Sequence, residues 1–274
     1  MFNAAPSKPP VPGIVCSAYT EPNRGSEQFI EAHGLAYVLA GSLQVASGGQ
    51  VASFVPGEAF FFRKNQLAKF KKQPLEGEFK AITVVFDAEF LASYHRNHTL
   101  AAEPPTPSSG PVLPISAGPL MQAFFASLRP YFEVPITEEL LHVKKQEALL
   151  LLLSENSGLQ SILFDFAEPG KIDLEAFMNQ YFRFNVPLSR WAYLTGRSLA
   201  TFKRDFEKLF HTSPERWLYQ KRLQEAYYLL HDQQQKPSEV YLEVGFETMA
   251  HFSRSFKQQF GINPSALQRA KPLS

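Results

Sequence analysis

Residues 243–267 have the sequence EVGFETMAHFSRSFKQQFGINPSAL, and a related pattern, YLTGRSLATFKRDFEKLFHTSPERW, occupies residues 193–217. The two patterns coincide after a shift of 50 residues, which aligns Ala200, Phe202, Arg204, Phe206, Phe210 and Pro214 with Ala250, Phe252, Arg254, Phe256, Phe260 and Pro264. A match at a fixed offset indicates a repeated supersecondary unit. Phenylalanines spaced four residues apart lie on one helix face, so each copy is predicted to contain a helix with a buried aromatic stripe.

A shorter helical segment and a glycine turn precede each of these predicted helices. Residues 189–194 lead through Thr195-Gly196 into the first, and residues 238–244 lead through Gly245-Phe246 into the second. This order is typical of the helix-turn-helix, whose second helix enters the major groove of DNA. An ordinary helical bundle would explain one copy, whereas two copies in register favour the helix-turn-helix.

The repeat resembles the DNA-binding domain of AraC/XylS transcriptional regulators over residues 186–267. The residues that carry the resemblance are Glu243-Val244-Gly245-Phe246, 251–257, 260–265, Ala192 and Arg222 with Ala226 and Leu229-Leu230. It implies two helix-turn-helix units joined by one long helix. That helix is predicted to begin at Pro214, with Ser213 as its cap, and to end near His231. Tyr241 and His211 replace a small residue and a glycine of the family pattern, which predicts looser local packing.

The resemblance also implies which residues contact DNA. The positions that match the base-contacting positions of the family are Ala200, Lys203, Arg204, Met249, Ala250, Ser253 and Arg254. Polar and basic residues expected to contact phosphates are Ser198, Thr201, Lys208, Thr248, His251 and Lys257. An arginine can donate two hydrogen bonds to guanine O6 and N7, so Arg204 and Arg254 are the main candidates for base recognition. Pairing with a carboxylate such as Glu207 or Glu247 is the alternative role for either arginine.

The charge distribution supports a DNA partner for the C-terminal half. The net charge of the whole chain is only +1. Residues 1–170 carry 12 Lys and Arg against 16 Asp and Glu, whereas residues 171–274 carry 15 against 10. The basic half is therefore the half that contains the repeat, and attraction to phosphates is a large part of DNA affinity. If the long helix is rigid, the two units should enter major grooves about 10 base pairs apart, on an asymmetric bipartite site.

The N-terminal half has a different pattern, in which short apolar runs alternate with turn residues between Tyr19 and Asp87. The runs are residues 35–39, 42–46, 50–55, 59–62 and 79–86. This spacing predicts an antiparallel barrel or sandwich. Gly41-Ser42-Leu43 and residues 55–58 are similar to turns of the cupin-type barrel that many AraC-like regulators use as a sensor.

We therefore predict an α+β protein with two domains. Residues 13–165 should form a cupin-like antiparallel β-barrel followed by helices, and residues 171–270 an all-α domain with two helix-turn-helix units joined by a long helix. Residues 1–12 should form a loose arm. Residues 101–119 are rich in proline and are predicted to be a connector without a core element.

Helices are predicted at residues 120–132, 137–155 and 172–184, with a break at 168–170. The helix at 137–155 is more apolar than one buried stripe requires. It could pack within its own domain or against a second subunit. The resemblance favours dimerisation, because helices after the barrel are a common dimer interface in the family.

An enzyme is the less favoured alternative. His33 stands alone among the predicted strands, and His95 and His98 have no evident third partner, whereas a catalytic metal usually has about three protein ligands. We expect no catalytic residues, no metal and no cofactor. Cys16 is the only cysteine and no apolar run is long enough to span a membrane. A cytoplasmic protein without a membrane partner is therefore expected.

The predicted function is that of a sequence-specific, DNA-binding transcription regulator. Activation, and contact with RNA polymerase, are implied by the resemblance alone. The signal received by the barrel could be a small molecule or a regulatory protein, since the N-terminal half also resembles activators of type III secretion that partner proteins control. The remaining alternatives are a cupin-type metalloenzyme fused to a DNA-binding domain and a non-catalytic protein-interaction adaptor.

Overall fold

The computed structural model describes residues 13–21, 23–98 and 110–269. The chain divides between Ala167 and Glu168 into two compact units. The predicted arm at residues 1–12 and the first part of the predicted proline-rich connector, residues 101–109, lie outside the described residues.

The N-terminal unit contains two antiparallel sheets. The nine strands are β1 (Ile14–Tyr19), β2 (Asn23–Ile30), β3 (His33–Ala40), β4 (Ser42–Ser47), β5 (Gln50–Phe54), β6 (Ala59–Phe62), β7 (Gln66–Gln73), β8 (Phe79–Phe86) and β9 (Val112–Ile115) among the described residues. The strand orders are β1-β8-β3-β6-β9 and β2-β7-β4-β5. The predicted antiparallel fold is confirmed, while the cupin-type likeness stays a prediction.

The five-stranded sheet is buried on both faces, which explains its apolar runs. One face, with Val38, Phe60 and Phe79, packs against the four-stranded sheet. The other face, with Leu35 and Val84, packs against helices. Alternate residues of one strand therefore enter two different cores, because successive side chains of a strand point to opposite faces.

Strand β9 corrects the prediction that residues 101–119 contain no core element. Its residues pair with β6, with Ile115 opposite Ala59 and Pro114 opposite Phe60. Ile115 is buried in the core between sheet and helices. Pro114 is compatible with this position because β9 is an edge strand, where a residue without an N–H group need not pair on the open side.

Helices cover the outer face of the five-stranded sheet. They are α1 (Ala88–Asn97), α2 (Pro119–Ser127), α3 (Glu138–Glu155) and the short α4 (Gln160–Leu163), with a 3-10 turn at Arg129–Phe132. Helix α1 was not predicted, and the helix predicted at 120–132 is divided into α2 and the 3-10 turn. Helix α3 begins where predicted, since the Thr137 side chain accepts a hydrogen bond from the Leu140 N–H at 3.2 Å.

The inner face of α3 carries a buried charge. Lys145 is buried, and its ammonium group pairs with Asp87 and lies 4.6 Å from the centre of the Phe90 ring. Asp87 also caps α1 by accepting a hydrogen bond from the Phe90 N–H at 2.8 Å. Although burial opposes ionisation, the bonds from Lys145 and Phe90 hold the pKa of Asp87 below its usual value. One carboxylate thus joins α1, α3 and the end of β8.

The C-terminal unit is helical in all its described elements, as predicted. These are α5 (Leu174–Tyr181), α6 (Leu188–Leu194), α7 (Leu199–Phe210), α8 (Pro214–His231), α9 (Pro237–Glu243), α10 (Met249–Phe260) and α11 (Pro264–Arg269). Helix α8 has the predicted bounds, and the Ser213 side chain accepts a hydrogen bond from the Arg216 N–H at 3.4 Å. Helix α5 is shorter than the helix predicted at 172–184.

Candidate nucleic-acid interface

The first helix-turn-helix consists of α6, a turn at residues 195–198, and α7. Thr195 is fully buried, and its hydroxyl donates to the Trp191 and Ala192 carbonyls, at 2.9 and 3.1 Å. Gly196 has φ +66°, and a Cβ there would lie 2.2 Å from the Gly170 carbonyl carbon. Only glycine fits this turn, because a side chain would overlap the preceding segment.

The second helix-turn-helix consists of α9, a turn at residues 244–248, and α10. Gly245 has φ +88°, and a Cβ there would lie 2.5 Å from the Arg183 carbonyl oxygen. The Thr248 hydroxyl accepts a hydrogen bond from the His251 N–H at 3.2 Å and so caps α10. Ser198 caps α7 in the same way, accepting from the Thr201 N–H at 3.2 Å. The two units have the same local construction.

Both second helices bury the predicted aromatic stripe. Phe202, Phe206, Phe252 and Phe256 have no exposed side-chain surface. Each unit closes its core with a further aromatic ring of α8: Phe206 meets Trp217 edge-on at 5.7 Å, and Phe256 stacks on Tyr227 at 6.3 Å. The opposite faces of α7 and α10 are therefore the faces left to solvent.

The exposed faces carry the residues predicted to contact bases. Ala200, Lys203, Arg204, Met249, Ala250 and Arg254 are exposed, and Ser253 is half-buried. Of the residues predicted to contact phosphates, Ser198, Lys208, Thr248, His251 and Lys257 are exposed, and Thr201 is half-buried. In each helix-turn-helix unit, the predicted base-contacting and phosphate-contacting residues are therefore at the solvent-accessible surface of the second helix or at its N-cap.

The ion pairs of the two surfaces differ. Lys203 lies 3.4 Å from Glu215, and the Arg204 guanidinium lies 3.5 Å from Asp205. The Lys203 pair is exposed on both sides, and Arg204 is exposed beside a half-buried Asp205, so each pair contributes at most about 1 kcal/mol. Among the described residues, no carboxylate lies within 4.0 Å of the Arg254 guanidinium. The charge of the second unit is thus the more available for a polyanion.

The carboxylates suggested as alternative partners of the arginines do not have that role. Arg204 lies beside Asp205 rather than Glu207. Glu247 accepts a hydrogen bond from the Asn185 side-chain amide at 2.8 Å. Arg204 therefore pairs with a carboxylate, as the alternative role proposes, but with Asp205 and not with either of the two carboxylates given as examples.

Arg197 is a structural residue that was not predicted from the sequence. Its Nε lies 3.1 Å from Asp205, and its Nη1 donates to the Ile172 and Thr195 carbonyls at 3.1 and 2.7 Å. The hydrogen bond from Arg197 holds the pKa of Asp205 below its usual value. The sequence signal that could have indicated this structural role is the position of Arg197 directly after the turn glycine, Gly196.

The two departures from the family pattern have distinct structural outcomes. His211 ends α7 in the left-handed conformation, with φ 54°, and Gly261 ends α10 with φ 75°. The histidine at position 211, which replaces a glycine of the family pattern, therefore has a strained backbone conformation. Tyr241 is half-buried and packs against the core of the second unit, so no loose packing results there.

Two predicted absences concern metals and membranes. Within residues 13–21, 23–98 and 110–269, no group of three His, Cys, Asp or Glu side chains is placed to bind a metal. His95 instead stacks on Phe164 at 5.2 Å, and His98 on Tyr94 at 4.0 Å. None of the described helices has the length and apolarity needed to cross a membrane.

Two family profiles match the chain. The profile of the ExsA N-terminal regulatory domain matches residues 33–163, and a profile of the helix-turn-helix domain matches residues 191–270. The second match contains both predicted recognition helices, which confirms the helix-turn-helix interpretation of the repeat.

Several curated proteins are similar to the chain over most of its length. Thermoregulatory protein LcrF of Yersinia pestis is 26% identical over 87% of this chain and 89% of its own length. HTH-type transcriptional regulator ExsA of Pseudomonas aeruginosa is 24% identical over 87% and 86%. The virulence regulon transcriptional activator VirF of Yersinia enterocolitica is 25% identical over 87% and 89%.

The helix-turn-helix repeat, its exposed basic faces and the match of both halves to regulators lead to one assignment. The chain belongs to the AraC family of DNA-binding transcription regulators, with an N-terminal regulatory domain of the ExsA type.

Proposed function

We propose that the chain is a transcriptional activator that binds a bipartite promoter site, with α7 in one major groove and α10 in the next. The observation that carries this proposal is the register of the two exposed faces. Ala200 and Arg204 on α7 have the same positions, relative to the buried phenylalanines, as Ala250 and Arg254 on α10. Two equivalent faces on one chain suit two separate DNA elements.

Base recognition is assigned to Ala200, Lys203, Arg204, Met249, Ala250, Ser253 and Arg254. Arg254 is the strongest candidate, because no ion pair within the described part of the chain competes with guanine for its guanidinium. Arg204 and Lys203 must first give up Asp205 and Glu215, or share them. Ala250 and Met249 offer apolar surface, which suits a thymine methyl group.

Phosphate contacts are assigned to Ser198, Thr201, Lys208, Thr248, His251 and Lys257. Ser198 and Thr248 are the N-caps of α7 and α10, so in each helix the N-terminal backbone amides lie beside the hydroxyl that is assigned to a phosphate. A helix N-terminus attracts phosphate through these amides and the helix dipole. Lys208 and Lys257 lie in the last turns and can reach a second phosphate on each element.

Activation is supported by the similarity to VirF of Yersinia enterocolitica, which is a virulence regulon transcriptional activator. RNA polymerase is the partner that an activator of this family requires. The protein would act in the cytoplasm. A cupin-type enzyme or a protein-interaction adaptor is the alternative, and each makes a different prediction: metal-dependent turnover in the first case, and function without the two arginines in the second.

The signal is assigned to the N-terminal unit and has two candidate sources. A cavity of about 420 Å³ lies between the edge strands β5 and β9, lined by Val45, Gln50, Val51, Ala52, Pro111 and Val112. It supports a small apolar ligand. The match to the ExsA regulatory domain supports a regulatory protein instead. Calorimetry with an Ala52→Trp variant separates the two, because the larger side chain at this half-buried lining position obstructs the cavity.

A homodimer is proposed through α3. Its buried residues Leu141, Leu149 and Leu152 face the sheet. Leu140, Val143 and Leu150 are 41%, 56% and 50% exposed and lie on a common helix face. A second copy of the chain would cover this face.

The experiment that tests the proposed function is selection of bound sequences from a random duplex DNA pool by the purified full-length protein, at two salt concentrations. We expect enrichment of two short elements about 10 base pairs apart. The Arg204→Ala, Arg254→Ala double variant should enrich neither element. Enrichment of nothing by the wild type, at low and high salt and also by residues 168–274 alone, would contradict the proposal and favour the adaptor.

A further inference from the structure

A polar cluster joins the segment between α5 and α6, which leads into the first helix-turn-helix unit, to α8 and to the turn of the second unit. We name it the Arg222 clamp; its members are Arg183, Asn185, Arg222, Glu225, Gly245 and Glu247. We propose that Arg222 is a positioning residue that sets the spacing between the two DNA elements bound by one chain. This inference rests on the proposed bipartite binding.

The guanidinium of Arg222 connects three segments of the C-terminal unit. Its Nε donates to the Phe182 carbonyl at 2.9 Å, and its Nη2 donates to the Phe184 carbonyl at 2.6 Å. Its Nη1 lies 3.4 Å from the Gly245 carbonyl. The segment that leads from α5 into the first unit, the middle of α8, and the turn of the second unit are therefore held by one side chain.

Further contacts connect the same segments. Arg183 pairs with Glu225 of α8 and lies 3.6 Å from Glu243 at the end of α9. The Asn185 amide donates to Glu247 at 2.8 Å. The absence of a side chain at Gly245 permits the backbone at Arg183 to approach the turn of the second unit. The segment that enters the first helix-turn-helix unit therefore contacts the second unit directly, on a route that does not pass along α8.

The clamp matters for DNA spacing because α8 alone is a single connection about which the second unit could pivot. A change of one base pair moves an element by about 3.4 Å and rotates it by about 35° around the DNA axis. The second unit can follow this change only if the Arg222 clamp opens. A planar guanidinium with donors in fixed directions resists that movement, whereas a lysine ammonium on a flexible stem does not.

The test measures the affinity of the full-length protein for duplexes that carry the two selected elements at varied separation. The separations are the selected one and those shorter or longer by one base pair. The variants are Arg222→Lys, which keeps the charge, and Arg216→Lys, a matched control on the exposed surface of the same helix. Affinity for a duplex with only one element is measured in parallel, and thermal unfolding checks the fold.

We expect the wild type and Arg216→Lys to lose about tenfold in affinity when the separation changes by one base pair. Arg222→Lys should lose only about threefold, with its affinity for a single element changed less than about twofold. If Arg222→Lys does not fold, the Asn185→Ala variant, at an exposed position of the clamp, replaces it. This variant should also lose less affinity than the wild type when the separation changes by one base pair.

Equal weakening of Arg222→Lys at every separation would overturn the inference, since that result describes a residue needed only for folding or charge. A wild type that tolerates all separations would overturn it as well. Both results leave bipartite binding intact. Failure of the proposed function is a separate result, in which the wild type selects no DNA elements.

Discussion

At the scale of single residues, the two recognition helices differ in the ion pairs of their arginines. Arg254 has no carboxylate within 4.0 Å in the described part of the chain, whereas Arg204 lies 3.5 Å from Asp205. We expect Arg254→Ala to weaken binding to the selected site by about 1–3 kcal/mol, or roughly 5- to 150-fold. Arg204→Ala should cost less, because Asp205 already offsets part of its charge. Fluorescence anisotropy with one labelled duplex measures both.

The comparison needs a control for general electrostatics. Arg216→Ala removes a charge from the exposed surface of α8, outside the predicted base contacts. It should change the affinity for specific and non-specific duplexes by the same factor. A greater loss for Arg204→Ala than for Arg254→Ala would contradict the order derived from the ion pairs.

His33 is the residue that should make the N-terminal unit sensitive to acid. Burial, followed by the charges of Lys64 and Arg63, lowers the pKa of His33 to about 3, although Asp165 acts in the opposite direction. The unfolded chain takes up a proton near pH 6.5, but the folded chain does not. The contribution of neutral His33 to the free energy of unfolding is therefore fully present above about pH 6.5. It decreases as the pH falls below that value, by at most about 1.4 kcal/mol per pH unit.

The measurement for His33 is urea unfolding of the full chain, followed in the N-terminal unit, at several pH values between 6.5 and 5. Asn is a suitable replacement because its carbonyl can still accept the Lys64 N–H, which donates to His33 Nδ1 at 3.2 Å. His33→Asn should reduce the dependence on pH, and His95→Asn, at an exposed histidine, should keep it. Equal slopes for His33→Asn and the wild type would contradict the assignment.

At the scale of elements, the ends of α7 and α10 provide a matched pair. His211 and Gly261 both end their helices with positive φ, at 54° and 75°. The left-handed conformation costs a residue with a Cβ about 1 kcal/mol. We expect His211→Gly to increase the free energy of unfolding of the C-terminal unit by about that amount. Thermal or urea unfolding detects the change.

Gly261→Ala is the reciprocal control. A Cβ at position 261 would meet no heavy atom within 4 Å, so its expected destabilisation comes from the backbone conformation alone. If His211→Gly leaves stability unchanged while Gly261→Ala lowers it, the strain assigned to His211 is wrong.

The elements also show what the sequence could predict. Helices α7, α8 and α10 were predictable because phenylalanine spacing and caps such as Ser213 are local signals. Strand β9 was not, because proline density suggests a loop unless the pairing with distant β6 is known. The same limit applies to Glu215 and Arg222, whose partners are distant in sequence. Base-contact candidates could therefore be named from the sequence, but the pairing of Lys203 with Glu215 of the next helix could not.

At the scale of the whole molecule, the exposed face of α3 predicts self-association. We expect the wild type to sediment as a dimer and the Val143→Glu, Leu150→Glu double variant as a monomer, because charges on an apolar interface oppose its burial. Both positions are at least half exposed, so the fold should be retained. Val51→Glu, at a position 66% exposed on β5, is the control and should stay dimeric. A monomeric wild type would contradict the dimer.

The most direct test of the central claim, that one chain binds two DNA elements through α7 and α10, is to repeat the DNA selection with the Arg254→Ala variant. The account predicts that enrichment is lost or relaxed in one element only, while the other keeps its sequence and its distance of about 10 base pairs from the first. Loss of both elements together, or of neither, would contradict the assignment of one element to each recognition helix.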